Sequence, residues 1–140
     1  MIDKKLYYTL NFTWGIIMNI FGAIAFYFFK MLGYQSIQHA GCYVIKYGRN
    51  WGGLNLGVFC FVCENASKHT LDHEFGHSLQ NAVYGPLFPF IVAIPSFTRY
   101  WNFEYKRSKK IPIEEKYDDA WFEGQASSWG KITAEKWYNE

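Results

Sequence analysis

The stretch SKHTLDHEFGHSLQNAVYG, residues 67–85, decides how this chain is organised. Ser67, like Asn65 just before it, is a residue type that caps helix N-termini. Gly85 followed by Pro86 is a common way for a helix to end. Apolar residues recur at helical spacing between these two signals. The sequence therefore predicts one helix from Ser67 to just before Gly85.

This helix carries the pattern HEFGH, in which His73 and His77 are four residues apart. Side chains at that spacing lie above one another on one helix face, so both imidazoles can reach a single ion at about 2.0–2.1 Å. Glu74 then lies beside the ion, where its carboxylate can take a proton from a water molecule that zinc has acidified. The pattern predicts one zinc ion bound by His73 and His77, with Glu74 as the catalytic base.

The helix face that carries these histidines allows two interpretations. At about 100° per residue, a core-facing stripe lies opposite them, made by Leu71, Phe75, Ser78 and Ala82. The histidines are therefore either ligands or surface residues of an amphipathic helix. His69 continues the spacing, but about 12 Å of helix separates it from His77, so one ion cannot take both. We expect His69 to be a surface residue or a neighbour of a ligand, and His39, in a predicted loop, to lie outside the site.

A third ligand has to come from elsewhere, because catalytic zinc usually has three protein ligands and one open position. Glu123 is the first candidate, since it lies in WFEGQAS at the start of a second predicted helix. Asp118 and Asp119, about one turn earlier, are the alternatives, and either can instead cap that helix. The sequence thus predicts a site built from two separate helices.

The N-terminal part of the chain is strongly apolar. Residues 12–29 read FTWGIIMNIFGAIAFYFF and contain no charged side chain. Because about 20 helical residues span the hydrocarbon of a bilayer, we predict a membrane helix here. A signal peptide and a buried core helix are the other interpretations. Residues 1–32 are accordingly predicted to be an apolar, transmembrane segment, and residues 33–140 the metal-binding domain.

Strand patterns lie between the apolar segment and the HEFGH helix. CYVIKYG at 42–48 and LNLGVFCFV at 54–62 flank the turn sequence RNWGG, which predicts a β-hairpin. Residues 33–41 are predicted to be a loop. The proline-interrupted apolar run at 86–97 is predicted to be a re-entrant, interfacial or core segment, and residues 102–117 a polar linker.

Composition narrows the classes of function. A formal charge of +2 is too small to indicate a nucleic acid or another acidic partner. A local basic cluster is either a solvated linker or a contact for anionic lipid headgroups, and consists of Lys106, Arg107, Lys109 and Lys110. An odd number of cysteines provides no disulfide framework, so we expect buried thiols at Cys42, Cys60 and Cys63.

The HEFGH pattern, followed by a downstream helix with ExxA, resembles the gluzincin class of zinc metallopeptidases. The resemblance implies that His73, His77 and Glu123 are the metal ligands and that Glu74 is the general base. It also implies that Ala126 is the small residue of the ExxA segment.

This chain departs from the gluzincin pattern at two points. Ser127 stands where many members have an Asp that hydrogen-bonds a ligand histidine. Members also use a downstream His or Tyr to stabilise the oxyanion, and this chain has no His after His77. The tyrosines available for that role are Tyr105, Tyr117 and Tyr138.

The wider pattern HEFGHSLQNAVYGPLFPFIVAIPS, with the later WFEGQA, also resembles small bacterial membrane-associated proteins, which implies location at the bacterial cytoplasmic membrane. We therefore expect an α+β, minimal zincin-like domain with a β-hairpin, the HExxH helix and a second ligand-bearing helix, preceded by an apolar N-terminal helix. The expected function is a membrane-associated zinc metallopeptidase that acts on a peptide or protein substrate. The alternative is a non-catalytic membrane or interaction protein that retains the zinc-binding fold.

Overall fold

The computed structural model describes residues 2–140. Within them the chain is α+β, with five α-helices and one mixed sheet of four strands. The helices are α1 Lys4–Asn11, α2 Ile16–Met31, α3 Lys68–Tyr84, α4 Ile94–Ser108 and α5 Trp121–Tyr138. The strands are β1 Ser36–His39, β2 Cys42–Lys46, β3 Gly53–Leu56 and β4 Phe59–Val62.

The sheet has the order β1-β2-β4-β3, which differs from the predicted hairpin between 42–48 and 54–62. The run 54–62 is itself a tight hairpin, because Gly57, at φ 73°, turns the chain between β3 and β4. β2 pairs with β4 in parallel, with Tyr43 opposite Phe59. The predicted loop at 33–41 contains β1, which pairs antiparallel with β2. These pairings make β3 an edge strand.

The apolar N-terminal segment is bent. α1 ends at Asn11 and α2 starts at Ile16, with an angle of 89° between the two helices. Among the helices of residues 2–140, none is by itself long and apolar enough to cross a bilayer, and α1 and α2 meet that test only as a bent pair. One face of α2 packs on the sheet, where Asn19 Oδ1 accepts a hydrogen bond of 2.8 Å from Val58 N.

The main core lies between the sheet and α3, and the N-terminal helices contribute to it. Tyr7 of α1 and Phe26 of α2 are buried in the same cluster as the inward-facing residues of β2 and β4. Tyr7 packs edge-on against both Phe75 of α3 and Trp137 of α5, with ring centroids 5.6 and 5.3 Å apart. Residues from 1–32 and from 33–140 therefore share one core.

The second half of the chain is more helical than predicted. The run after α3 forms a 3₁₀ turn at Gly85–Leu87 and a π-helical turn at Pro89–Ala93, and α4 then continues through much of the predicted linker. Pro95 is tolerated because it lies in the first turn of α4. Arg99 holds this helix to the next segment by donating a hydrogen bond of 3.0 Å to the carbonyl of Tyr117.

α3 and α5 approach each other very closely, and glycines permit it. A Cβ on Gly76 would lie 1.8 Å from the carbonyl oxygen of Ala126, and one on Gly130 would lie 1.7 Å from that of Asp72. The two backbones are therefore in direct contact, and the first turn of α5 is brought against the histidine face of α3.

Candidate metal centre

The three predicted ligands meet at one point. His73 and His77 come from α3, and Glu123 comes from the first turn of α5. One ligand atom from each lies within 4.8 Å of the others, so the group is able to hold a metal ion. Glu123 Oε2 is 2.9 Å from His73 Nε2 and 3.5 Å from His77 Nε2. Asp119, one of the alternatives, instead accepts a hydrogen bond from Lys116 N in the preceding turn.

The histidine face of α3 is not a surface, as one interpretation of the sequence held. The side chains of His73 and His77 are only 11% and 7% exposed, because α5 covers them. Helical periodicity predicts the angle of a side chain on its own helix, whereas a second helix packing on that face depends on distant residues. The surface interpretation of the two histidines is therefore wrong.

The tautomer of His77 follows from its neighbour Gln80. The Gln80 amide nitrogen donates to the carbonyl of Phe122 at 2.9 Å and to Gln125 Oε1 at 3.0 Å. Gln80 Oε1 therefore faces His77 Nδ1, 2.8 Å away, and can only accept. Nδ1 must carry the proton, which leaves the Nε2 lone pair of the neutral ring directed at the centre of the site.

His73 is held by a serine. Its Nδ1 lies 2.8 Å from Ser127 Oγ, and Ser127 occupies the position where many gluzincins have an Asp. A hydroxyl can accept from Nδ1–H as a carboxylate does, and so it orients the ring, but it has no charge with which to raise the basicity of Nε2. A serine in place of the aspartate thus weakens this contact with His73 but retains its geometry.

Glu123 has the environment expected of a metal ligand. It is completely buried, and neither carboxylate oxygen has a hydrogen bond of good geometry. Its Oε2 is close to the Nε2 atoms of both imidazoles, and a buried ionised carboxylate, which can only accept, requires a proton or a cation on these groups. Burial raises the pKa of this carboxyl, yet the imidazoles beside it lower it more, so the pKa lies well below its usual value.

His77 shows the same competition between proton and cation. Burial lowers the pKa of its imidazole, while the carboxylates of Glu123 and Glu74 raise it more strongly, so the pKa lies above the usual value. A proton on Nε2 therefore satisfies Glu123 in part. A divalent cation would satisfy both imidazoles and the carboxylate at once, which is why the donor set fits a metal.

Glu74 lies beside this group and lines a cleft. It is buried, and burial raises the pKa of its carboxyl above the ordinary value. Gly53 of β3 makes room for it, since a Cβ there would lie 2.6 Å from Glu74 Oε1. Asn55 of β3 donates a hydrogen bond of 3.2 Å to the backbone carbonyl of Glu74, which fixes the edge strand against α3.

The cleft has a volume of about 1420 Å³ and is walled by β3, α3 and α4. Tyr117 lines it, with its ring 6.3 Å from that of His73. Burial raises the pKa of this phenol, and the nearby Glu123 carboxylate adds to the effect, so Tyr117 remains a hydrogen-bond donor. Of the other two tyrosines, Tyr138 accepts a hydrogen bond from Ala40 N and Tyr105 is exposed on α4.

The remaining histidines lie outside the ligand group, as expected. His39 Nε2 is 2.7 Å from Asp72 Oδ1, which ties β1 to α3. His69 lines the cleft, with its ring 6.4 Å from that of His73. The cysteines are free and buried, as predicted.

No family model, curated protein or solved structure matches this chain. What the protein does is therefore inferred from the geometry of the site.

Two residues that shape the site had no role in the sequence prediction. The contact of Gln80 with His77 could have been predicted, since Gln80 lies three residues after His77 and so on the same helix face. The contact of Gly53 with Glu74 could not have been predicted, because it joins a strand to a helix that is distant in the sequence.

Proposed function

We propose that this protein is a zinc-dependent peptidase with a minimal zincin-like domain. The observation that carries the proposal is the buried carboxylate of Glu123, which has no hydrogen bond of its own and lies against two imidazole nitrogens of an HExxH helix. Two nitrogens and one carboxylate oxygen are a ligand set that zinc takes in hydrolytic enzymes, with one position left open.

The catalytic work of the chain's own residues centres on Glu74. When bound, the zinc ion supplies Lewis acidity, which makes water more acidic and a carbonyl more electrophilic. Glu74 takes the proton of the attacking water and then delivers it to the leaving amine. The Tyr117 phenol, on the same cleft wall as His73, is the donor that supports the oxyanion.

The substrate class follows from β3. This edge strand lines the cleft beside Glu74, so its outer backbone groups are able to pair with an extended polypeptide. Such pairing uses main-chain hydrogen bonds and therefore accepts many sequences. We propose a peptide or protein substrate that lies along β3, and a membrane as the place of action because of the apolar N-terminal helices.

The test compares the wild-type chain with Glu74→Gln and His77→Ala. We expect about one zinc per chain in the wild type and in Glu74→Gln, and little in His77→Ala. Cleavage of a mixed peptide library should be chelator-sensitive in the wild type and about 10²–10⁴-fold slower in Glu74→Gln, the usual contribution of a general base.

Two outcomes would count against the proposal. Undiminished cleavage by Glu74→Gln would remove this residue from the mechanism, and stoichiometric zinc in His77→Ala would contradict the ligand set. Zinc binding by the wild type without cleavage would favour the second candidate, a non-catalytic protein that retains the metal site.

A further inference from the structure

Helix α2 is apolar on the face turned to solvent as well as on the face turned to the core. Its inner side packs on the sheet through Gly22 and Phe26. The residues on its outer side are all exposed and recur every three or four positions. We call them the α2 stripe: Ile17, Ile20, Phe21, Ile24, Phe28 and Met31. A surface helix of a soluble domain normally presents polar residues there, so this face requires an explanation.

A second stripe runs along the segment that leads into α4. It has the same three- and four-residue spacing, and two of its members, Phe90 and Trp101, are 69% and 55% exposed. We call it the α4 stripe: Phe90, Ile94, Phe97, Trp101 and Tyr105. The opposite side of α4 is held to the fold by Phe103, whose ring packs edge-on against that of Tyr117 at 5.2 Å. The stripe is therefore left uncovered within residues 2–140.

The two stripes belong to elements that touch. Met18 of α2 packs against Phe88 and Val92, just before α4. The turn between α1 and α2 is also joined to the end of α3, because Trp14 Nε1 donates a hydrogen bond of 2.7 Å to the carbonyl of Ala82. The two stripes therefore lie on elements that are in contact with each other.

The order of residue types along the α4 stripe indicates what covers the two stripes. The apolar Phe90, Ile94 and Phe97 come first, then Trp101 and Tyr105. The helix then ends in a basic cluster, in which Arg107 is paired with Glu104 and the other members are Lys106, Lys109 and Lys110. A bilayer presents the same order, with hydrocarbon, an interfacial zone that favours Trp and Tyr, and headgroups that are often anionic. α2 likewise has its basic residue, Lys30, in its last turn.

We infer that the α2 and α4 stripes bind one leaflet of an anionic lipid bilayer, with the basic end of α4 at the headgroups. Helices with one face in the interface bind through buried apolar area and attraction to anionic lipids. Ile94, Phe97 and Trp101 also line the cleft, so its mouth lies at the lipid surface. The preferred substrates are then polypeptide segments at that surface, and this last step rests on the proposed peptidase function.

The experiment uses the full-length Glu74→Gln chain, so that binding is measured without cleavage. It is sedimented with vesicles of phosphatidylcholine plus phosphatidylglycerol, and with vesicles of phosphatidylcholine alone. We expect tighter binding to the anionic vesicles. Added Ile24→Glu or Phe90→Glu should weaken that binding about tenfold or more, because each replaces an exposed apolar side chain that would enter the bilayer with a charged one. Ser128→Glu, which adds the same charge to an exposed site on α5, is the matched control.

A second measurement does not depend on the folding of charged variants. Lipids brominated in the acyl chain quench tryptophan fluorescence at short range. Trp101→Phe should remove much of the quenching of the bound protein, whereas Trp137→Phe, at a buried core position, should leave it unchanged.

The inference would be overturned if the protein did not sediment with anionic vesicles, or if the Ile24→Glu, Phe90→Glu and Ser128→Glu variants bound them equally well. It would also be overturned if the protein formed a soluble dimer that did not bind vesicles and that Ile24→Glu dissociated. The last would assign the stripes to a second copy of the chain. Each readout is independent of catalysis, so a failure of the peptidase proposal would leave vesicle binding intact.

Discussion

The Nδ1 atoms of the two ligand histidines are held by different partners. Gln80 Oε1 is a fixed acceptor for His77, because its amide nitrogen is occupied by Phe122 and Gln125. Ser127 Oγ is a rotatable hydroxyl beside His73. Gln80 selects the tautomer that leaves Nε2 of His77 available for a metal, whereas Ser127 orients the ring of His73, so the affinity for a metal should depend on residues that do not touch the ion.

Ser127→Ala is therefore expected to weaken zinc binding about 10–100-fold, because His73 loses its orienting partner. The measurement is competition against a chromophoric chelator. Ser128→Ala is the control, since it removes the same hydroxyl from the exposed neighbouring position. Equal affinities of the two variants would mean that the Ser127 contact does not support the ligand.

At the scale of elements, the crossing of α3 and α5 determines where Glu123 lies. Gly76 and Gly130 let the two backbones touch at Ala126 and Asp72, and α5 brings its first turn to the histidines only at this spacing. The glycine of HEFGH therefore has a packing role in addition to its place in the motif. Any added atom would push the helices apart and move the carboxylate away from the imidazoles.

Gly130→Ala is expected to lower the free energy of unfolding by about 1–3 kcal/mol, the usual cost of overpacking, in spite of the better helix propensity of Ala. Urea denaturation without zinc measures this loss, and zinc affinity should fall as well. Gly52→Ala is the control, because its Cβ would meet only Tyr100 Cε2 at 3.4 Å. A Gly130→Ala variant as stable as Gly52→Ala would contradict the close crossing.

At the scale of the whole molecule, the ligand group joins the middle of the chain to its C-terminal helix. His73 and Glu123 are 50 residues apart, so a bound ion would tie together two regions that separate on unfolding. The carboxylate of Glu123 is completely buried against the imidazoles of His73 and His77. Metal binding and folding should therefore be coupled.

Zinc at about a thousand times its dissociation constant is expected to stabilise the wild type by about 4 kcal/mol, or on the order of 10 °C in Tm. Thermal unfolding followed by circular dichroism, with and without chelator, measures the change. His77→Ala should not respond, and magnesium should not replace zinc because it prefers oxygen ligands. A similar zinc-induced shift in His77→Ala would place the bound metal elsewhere.

The sequence alone was sufficient to predict the parts of the site that depend on interactions between residues close together in the chain. Ser67 caps α3 and Gly85 ends it, as predicted, because caps act on backbone groups within one turn. The spacing of His73 and His77 fixes their relation on one helix whatever surrounds it. Glu123, the favoured third ligand, is in the group, although only the contact between helices distinguished it from Asp118 and Asp119.

Tertiary structure alone decided the features that join distant segments. The parallel pairing of β2 with β4 could not be predicted from local patterns, because a strand alternates its side chains in the same way beside a parallel or an antiparallel neighbour. The histidine face is buried because Gly76 and Gly130 let α5 pack closely against α3. The role of these two glycines could not be predicted before the contact between the helices was known. The sequence by itself determined the helix and the relative positions of His73, Glu74 and His77 on it, since these arise within a few residues. The third ligand's position, the edge strand beside Glu74 and the two exposed stripes were decided by packing, whose free energy comes from residues far apart in the chain.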